Sequence, residues 1–277
     1  MSFFEALILG LVQGLTEFLP ISSSAHVQIA QQLLSLSELT KPQLTAFIAT
    51  IQLGTELAVV AYFVKDIGRI GSSWLHWSIK PRSRMTSDTK LGWLIIVGSL
   101  PVLILGLAIR DFIENDVRNL WVIAYTLIGF GVLLGLADFF GKKSRNITEL
   151  NFSHGLVFGL GQALALVPGV SRSGGTITVG LMLGYTRQAS ARYSFLLAIP
   201  AVLGSGLFQF FTSVGDLSLD LLDATVVATF VSGIVGLSVI HYLLKYLQKG
   251  SFLPFVIWRV GVGVWLLVML TSGALTA

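Results

Sequence analysis

Residues 3–34 read FFEALILGLVQGLTEFLPISSSAHVQIAQQLL, and residues 151–184 read NFSHGLVFGLGQALALVPGVSRSGGTITVGLMLG. Both stretches are apolar enough to enter a bilayer. Both are also too broken to cross it as one helix, because Pro20 and Ser22-Ser23-Ser24 interrupt the first and Pro168-Gly169 with Ser171-Arg172-Ser173-Gly174-Gly175 interrupt the second. Irregular backbone at membrane depth survives only where protein buries it or a wet cavity receives it. These two stretches therefore set the architecture, and the rest of the chain is read around them.

Only 12% of the 277 residues are charged and 54% are hydrophobic, against about 25% charged in a soluble domain. The chain reads as an integral membrane protein with a single domain over 1–277. The 29 glycines suit close helix contact in lipid. There is no cysteine, so disulfide and thiol chemistry do not apply. The first apolar stretch lacks a basic leader and is interrupted by Glu5 and Glu17, so it does not read as a cleavable signal. The net charge of +4 lies in loops, where membrane topology explains it better than nucleic acid does.

Six stretches have the ~20 residues a span needs: about 45–64, 91–109, 119–140, 191–212, 222–244 and 254–274. Lys and Arg mark inner loops. By that rule loop 65–90 (Lys65, Arg69, Lys80, Arg82, Arg84, Lys90), 141–150, 184–192 and 245–250 lie inside. Loop 110–118 and the acidic loop 213–223 lie outside. Threading six spans through these sides requires 3–34 to start and end outside and 151–184 to start and end inside. The expected fold is thus all-α and polytopic, with six full transmembrane helices and two re-entrant broken hairpins in an inverted-topology repeat. The pseudo-repeats are about 1–140 and 151–277. Gly10-x-x-Gln13 parallels Gly159-x-x-Gln162, and Pro20-x-x-Ser23 parallels Pro168-x-x-Ser171, at an offset of 148 to 149 residues with one gap.

Ionisable groups at membrane depth are costly and read as functional by default. In the second stretch, a Gly/Ser loop feeds a helix N-terminus, which presents N–H groups and a positive dipole to an anion. Arg172 adds a fork that fits phosphate, and Ser171, Ser173, Thr176 and the backbone of Gly174 and Gly175 add donors. The bland alternative is a kink with Arg172 paired to a carboxylate such as Glu17. In the first stretch, Glu17, Ser23 and His26 are the minimal kit for an activated nucleophile. Thr16, Ser22 and Ser24 are secondary ligands or caps. A divalent metal could bridge Glu17, Gln13 and a phosphate, since hard cations take oxygen ligands. Glu56, inside the span 45–64, is a proton site or a partner for a neighbouring helix. Arg259 reads as snorkelling to the headgroups. His76, His154 and His241 show no ligand spacing.

Gln13-Gly14-x-Thr16-Glu17-Phe18-Leu19-Pro20-x-Ser22-Ser23-x-x-His26 and Pro168-Gly169-x-Ser171-Arg172-Ser173-Gly174-x-Thr176-Ile177 resemble the two signatures of the bacterial undecaprenyl-diphosphate phosphatases of the bacitracin-resistance type. Ile51-Gln52-Leu53-Gly54-Thr55, Ser194-Phe195-Leu196-Leu197-Ala198-x-Pro200 and Pro254-Phe255-x-Ile257-x-Arg259 are similar to further blocks. The resemblance implies an inner-membrane enzyme that recycles the lipid carrier of cell-wall polymers by removing the terminal phosphate of undecaprenyl diphosphate. It also implies a divalent cation (Mg2+ or Ca2+) and a site facing the periplasm. On this resemblance Glu17 is the essential acid, Arg172 the diphosphate clamp and Ser23 the nucleophile, with His26 as its base or as a nucleophile itself. Gln13 stands where many members have Glu, which leaves one carboxylate for a metal. Partners are the lipid substrate and the membrane, not nucleic acid, with a homodimer as one option. The competing readings are a transporter or flippase, which needs an anion site but no Ser23 beside His26, and a membrane scaffold.

Overall fold

The computed structural model describes residues 1–34, 39–80, 84–109, 119–217 and 219–276. Among the described residues, six helices are long and apolar enough to cross a membrane: α3 (Lys41–Tyr62), α5 (Ser87–Ala108), α6 (Leu120–Phe140), α9 (Arg187–Ser213), α10 (Leu219–Tyr246) and α11 (Leu253–Thr271). Short helices make up the rest: α1 (Phe3–Thr16), α2 (Ser23–Leu33), α4 (Val64–Ile79), α7 (Phe152–Ala163) and α8 (Arg172–Met182). All six expected spans are present, shifted by a few residues. The expected outer loop 110–118 lies outside the described residues apart from its flanks.

One expectation needs correcting. Segment 65–90 is not simply a loop, because α4 fills most of it. Its lysine and arginine content hides an apolar stripe of Ile67, Ile70, Trp74 and Trp77, at helical spacing, that packs toward α5.

The short helices dock on long ones through glycine. A Cβ at Gly10 of α1 would lie 2.5 Å from the Ala228 carbonyl oxygen of α10. A Cβ at Gly159 of α7 would lie 2.2 Å from the Gly98 carbonyl oxygen of α5. Without side chains there, backbones meet directly, and the gain is dispersion contact that lipid cannot match. Ser232 Oγ donates to the Ile51 carbonyl (2.6 Å) and Tyr193 OH to the Leu94 carbonyl (2.9 Å), so these two hydroxyls are satisfied across helix contacts.

The basic segments gather at one end. Arg192 Nη2 meets Asp66 at 2.6 Å. Arg145 donates to the Leu183 carbonyl at 2.7 Å and bridges to Tyr185 through backbone. Asp138, at the end of α6, accepts from Arg187 Nε (2.5 Å) and from the Phe252 N–H (2.9 Å). These contacts tie 65–90, 141–150, 184–192 and the entry to α11 together, and so tie the starts of α9 and α11 to the end of α6.

Candidate active site

Two elbows make the site. At the first, the Glu17 N–H still bonds the Gln13 carbonyl (3.1 Å), then the chain turns through Phe18–Ile21 and restarts as α2. At the second, a single tight turn at Leu164–Leu166 is followed by Gly169 at φ 88° and the start of α8. Each new helix is capped by a serine in the left-handed region, Ser22 at φ 76° and Ser171 at φ 71°. A non-glycine residue there is strained and persists only where its surroundings over-determine it. Here the caps do so: Ser22 Oγ accepts from the Ala25 N–H (3.4 Å) and Ser171 Oγ from the Gly174 N–H (3.1 Å). Ser22 also pairs with Ser24 (3.2 Å), as Ser171 pairs with Ser173 (3.1 Å). No gap is needed to match the elbows. Ser22 corresponds to Ser171, so Ser23, which the sequence parallel set against Ser171, corresponds to Arg172.

The elbows meet at Glu17, whose side chain is 7% exposed. Its Oε1 accepts from Arg172 Nη2. Its Oε2 accepts from Ser23 Oγ at 2.6 Å and from Gln13 Nε2 at 2.9 Å. Gln13 also reaches Thr55 Oγ1 of α3 at 3.4 Å. Ser173 Oγ crosses to the Leu19 carbonyl at 3.1 Å, joining elbow to elbow. As at any helix start, the N–H groups of the first residues of α2 and α8 have no partner within their helices. Ser23 and Arg172 are the first residues of those helices, so both stand at positive helix ends.

His26 is brought near, but its hydrogen bonds go elsewhere. An indole N–H only donates, so His26 Nε2 accepts from Trp258 Nε1 (2.8 Å) and the ring proton sits on Nδ1, which donates to the Ser22 carbonyl (2.8 Å). The two rings stack, 6.1 Å apart and 14° from parallel. His26 thus fixes the cap of α2 against α11, and the side chain that Ser23 Oγ donates to is Glu17.

Arg259 overturns its sequence reading. It is 0% exposed and does not snorkel. Its guanidinium bonds the Pro20 carbonyl of the first elbow (3.0 Å) and the Gly169 and Val170 carbonyls of the second (2.9 and 3.0 Å). Longer bonds run to Leu127 and Thr126 of α6 (3.3 and 3.4 Å). A break in a helix leaves carbonyls without partners at membrane depth, and a five-donor fork answers both breaks at once. Arginine within an apolar span was the signal that could have found it. Nothing local in Ile257-Trp258-Arg259-Val260 names its acceptors.

The other candidates take up contacts of their own. Thr16 Oγ1 bonds the Val12 carbonyl (2.6 Å) and Thr176 Oγ1 the Arg172 carbonyl (2.8 Å) and Ser194. Threonine inside a helix back-bonds in this way, so both hydroxyls are taken up by helix packing. The Gly174 and Gly175 N–H groups are used by Ser171, through Oγ (3.1 Å) and the carbonyl (2.8 Å). Gly174 is small for another reason: a Cβ would lie 2.6 Å from Arg259 Nη1. Glu56 is 1% exposed, on α3 beside Thr55. Its Oε1 accepts from Gln52 (3.1 Å), its Oε2 has no partner among the described residues, and it lies against Gly206 of α9.

Residues 6–265 match the family described as bacitracin resistance protein BacA. The chain belongs to the BacA family. Among curated relatives, "Undecaprenyl-diphosphatase 2" of Agrobacterium fabrum is 50% identical over 277 residues, covering 100% of this chain and 99% of that one. The "Undecaprenyl-diphosphatase" of Pseudarthrobacter chlorophenolicus is 49% identical over 280 residues, with 100% of both chains covered. That of a Nocardioides species is 48% identical over 275 residues, with 99% of both covered. The match to each of these relatives covers 99–100% of this chain.

Proposed function

We infer that this chain is an undecaprenyl-diphosphate phosphatase, releasing phosphate from the lipid diphosphate and returning undecaprenyl phosphate to cell-wall synthesis. Bacitracin resistance follows, as the family's name says. The observation that carries the reading is Ser23 Oγ donating to Glu17 Oε2 at 2.6 Å, with Arg172 on the other oxygen of the same carboxylate.

In this reading Ser23 Oγ attacks the terminal phosphorus and its proton passes to Glu17. The Oγ–P bond forms as the bridging P–O bond breaks, and the lipid monophosphate leaves as a stable anion. Water then hydrolyses the phosphoserine. Arg172 uses Nη2 on Glu17, so Nε and Nη1 remain to grip the diphosphate while the base is held. Phosphoryl transfer asks mainly for positioning and charge stabilisation, which Arg172 and the starts of α2 and α8 supply.

A divalent cation fits this donor set in part. Glu17, the Gln13 amide oxygen and substrate phosphate oxygens are the hard ligands a Mg2+ takes with one or two carboxylates. Bound there, it would neutralise phosphate charge. Among the described residues Glu17 is the one carboxylate hydrogen-bonded to Ser23 and Arg172, so the substrate would complete the shell.

The inverted repeat is supported by more than loop charges. The caps Ser22 and Ser171 match, α2 and α8 each have 11 residues, and α1 packs on α10 as α7 packs on α5. The clustering of basic segments supports placing that end inside; a site open to the periplasm from an inner membrane is what the family resemblance implies. The test is phosphate release from undecaprenyl diphosphate by purified protein in detergent, with and without Mg2+ or Ca2+, beside Ser23→Ala and Glu17→Gln. Release abolished in both variants supports the reading. No release from folded wild type would overturn it and send the protein to a lipid-transport assay.

A further inference from the structure

The mechanism leaves one buried acid unused. Glu56 lies within α3 and is 1% exposed. Its Oε1 accepts from Gln52 Nε2 at 3.1 Å, and its Oε2 has no partner among the described residues. An acid held this way at membrane depth is costly, so its default reading is functional.

The fold builds a seat for it. α3 packs on α9, and a Cβ at Gly206 of α9 would lie 2.5 Å from Oε1 and closer still to Oε2. A side chain at 206 would push the carboxyl out, so notch and acid are matched. The seat adjoins the first elbow. Thr55, the residue before Glu56, is fully buried, and its Oγ1 accepts from Gln13 Nε2 at 3.4 Å. The same Gln13 amide donates to Glu17 at 2.9 Å.

Few charges share this depth. α3 has no other carboxylate, Lys, Arg or His after Lys41. α9 has none after Arg192, and α10 has none between Asp223 and His241. Among the described residues, the charged groups that act on Glu56 are Arg172 and Glu17.

Arg172 is thus one cation coupled to two carboxyls, and a diphosphate brings further negative charge to it. Like charges packed in low dielectric do not all stay ionised, so one group takes up a proton. Glu17 is already full. Arg172 holds its Oε1, while Ser23 and Gln13 hold its Oε2, and donors on a carboxylate favour its charged form. Oε2 of Glu56 is free to take the proton.

We propose that Glu56 is a positioning residue for this pair: it takes up a proton from solvent as the diphosphate binds and returns it as the products leave. The charge around Arg172 then stays balanced, and Glu17 stays free to accept the Ser23 proton. The proposal rests on the phosphatase reading of the elbows.

The experiment is calorimetric titration of the purified full chain in detergent with methylenediphosphonate, a diphosphate mimic whose P–C–P bridge is not hydrolysed. Runs in buffers of different ionisation enthalpy, from about pH 7 to about pH 9, count the protons taken up on binding. Glu56→Gln keeps the shape of the carboxyl. Glu56→Met is a second variant, and melting in the same detergent checks that both fold. Wild type takes up more protons per diphosphonate than either variant, by up to about one. Uptake of one proton weakens binding about ten-fold per pH unit, so wild-type affinity falls with pH more steeply than that of the variants. A purely structural role for Glu56 would move the melting temperature and leave the proton count alone. Equal counts in wild type and both variants across the range would overturn the proposal by itself. Wild type that binds no diphosphonate would overturn it together with the anion site at the elbows.

Discussion

Replacing Arg259 with methionine removes the fork that answers both elbows while keeping much of its volume. Three bonds of 2.9–3.0 Å, to Pro20, Gly169 and Val170, are lost outright. Hydrogen bonds to a charged group contribute about 1.5–3 kcal/mol each, so the gross loss is roughly 4.5–9 kcal/mol. Against that, a guanidinium no longer has to be buried, which returns several kcal/mol. The net expectation is about 3 kcal/mol of destabilisation, or a fall in Tm of about 6–12 °C at the ~2–4 °C per kcal/mol of a chain this size. Activity should fall further than stability. The elbows carry Ser23 and Arg172 on separate helices, and a displacement of ~1 Å costs on the order of 100-fold in rate. The assay is thermal unfolding in detergent beside phosphate release, read as kcat and KM. The loss should fall on kcat. Gly174→Ala should give a milder form of the same defect, because its Cβ would lie 2.6 Å from Arg259 Nη1. A methionine variant with wild-type Tm and kcat would refute the idea that Arg259 holds the elbows in register.

Arg172→Lys should lower phosphate release by about 100-fold or more, since a point charge cannot hold Glu17 and grip a diphosphate together; near-normal turnover would remove the clamp assignment. Trp258→Phe keeps the stack on His26 but deletes the N–H to Nε2, so turnover should fall a few-fold and KM should barely move; a total loss in a folded variant would return His26 to the chemistry. Glu56→Met removes a buried carboxyl with an unpartnered oxygen and should raise stability by about 1–2 kcal/mol in a melting experiment. A lower Tm would show that the Gln52 hydrogen bond outweighs the cost of burying the carboxyl.

The spans were legible because ~20 apolar residues have few alternatives in lipid. The elbows were legible because Pro, Gly and Ser runs cannot continue a helix. The pairing of Glu17 with Arg172 was open to reading from cost alone, as two charges buried on two broken elements need each other. Helix α4 was hidden because loop assignment counts Lys65, Arg69 and Lys80 and passes over the apolar stripe between them. Arg259 was hidden for a different reason. Its partners are backbone carbonyls, which every residue has, so no side-chain pattern marks them. The hydroxyls of Thr16 and Thr176 were misjudged because sequence shows a donor but not whether the helix has already claimed it. His26 was placed beside Ser23 by chain distance, but Trp258, more than two hundred residues on, sets its ring.

The clamp formed by Arg259 also orders events during synthesis. By the time a ribosome has made residue 182, the nascent chain already holds Ser23, Glu17 and Arg172. The residue that holds their two elbows together sits in α11, which emerges more than seventy residues later. In the proposed mechanism a polypeptide stopped between the two carries the reagents without the register, and competence to cleave phosphate waits on α11.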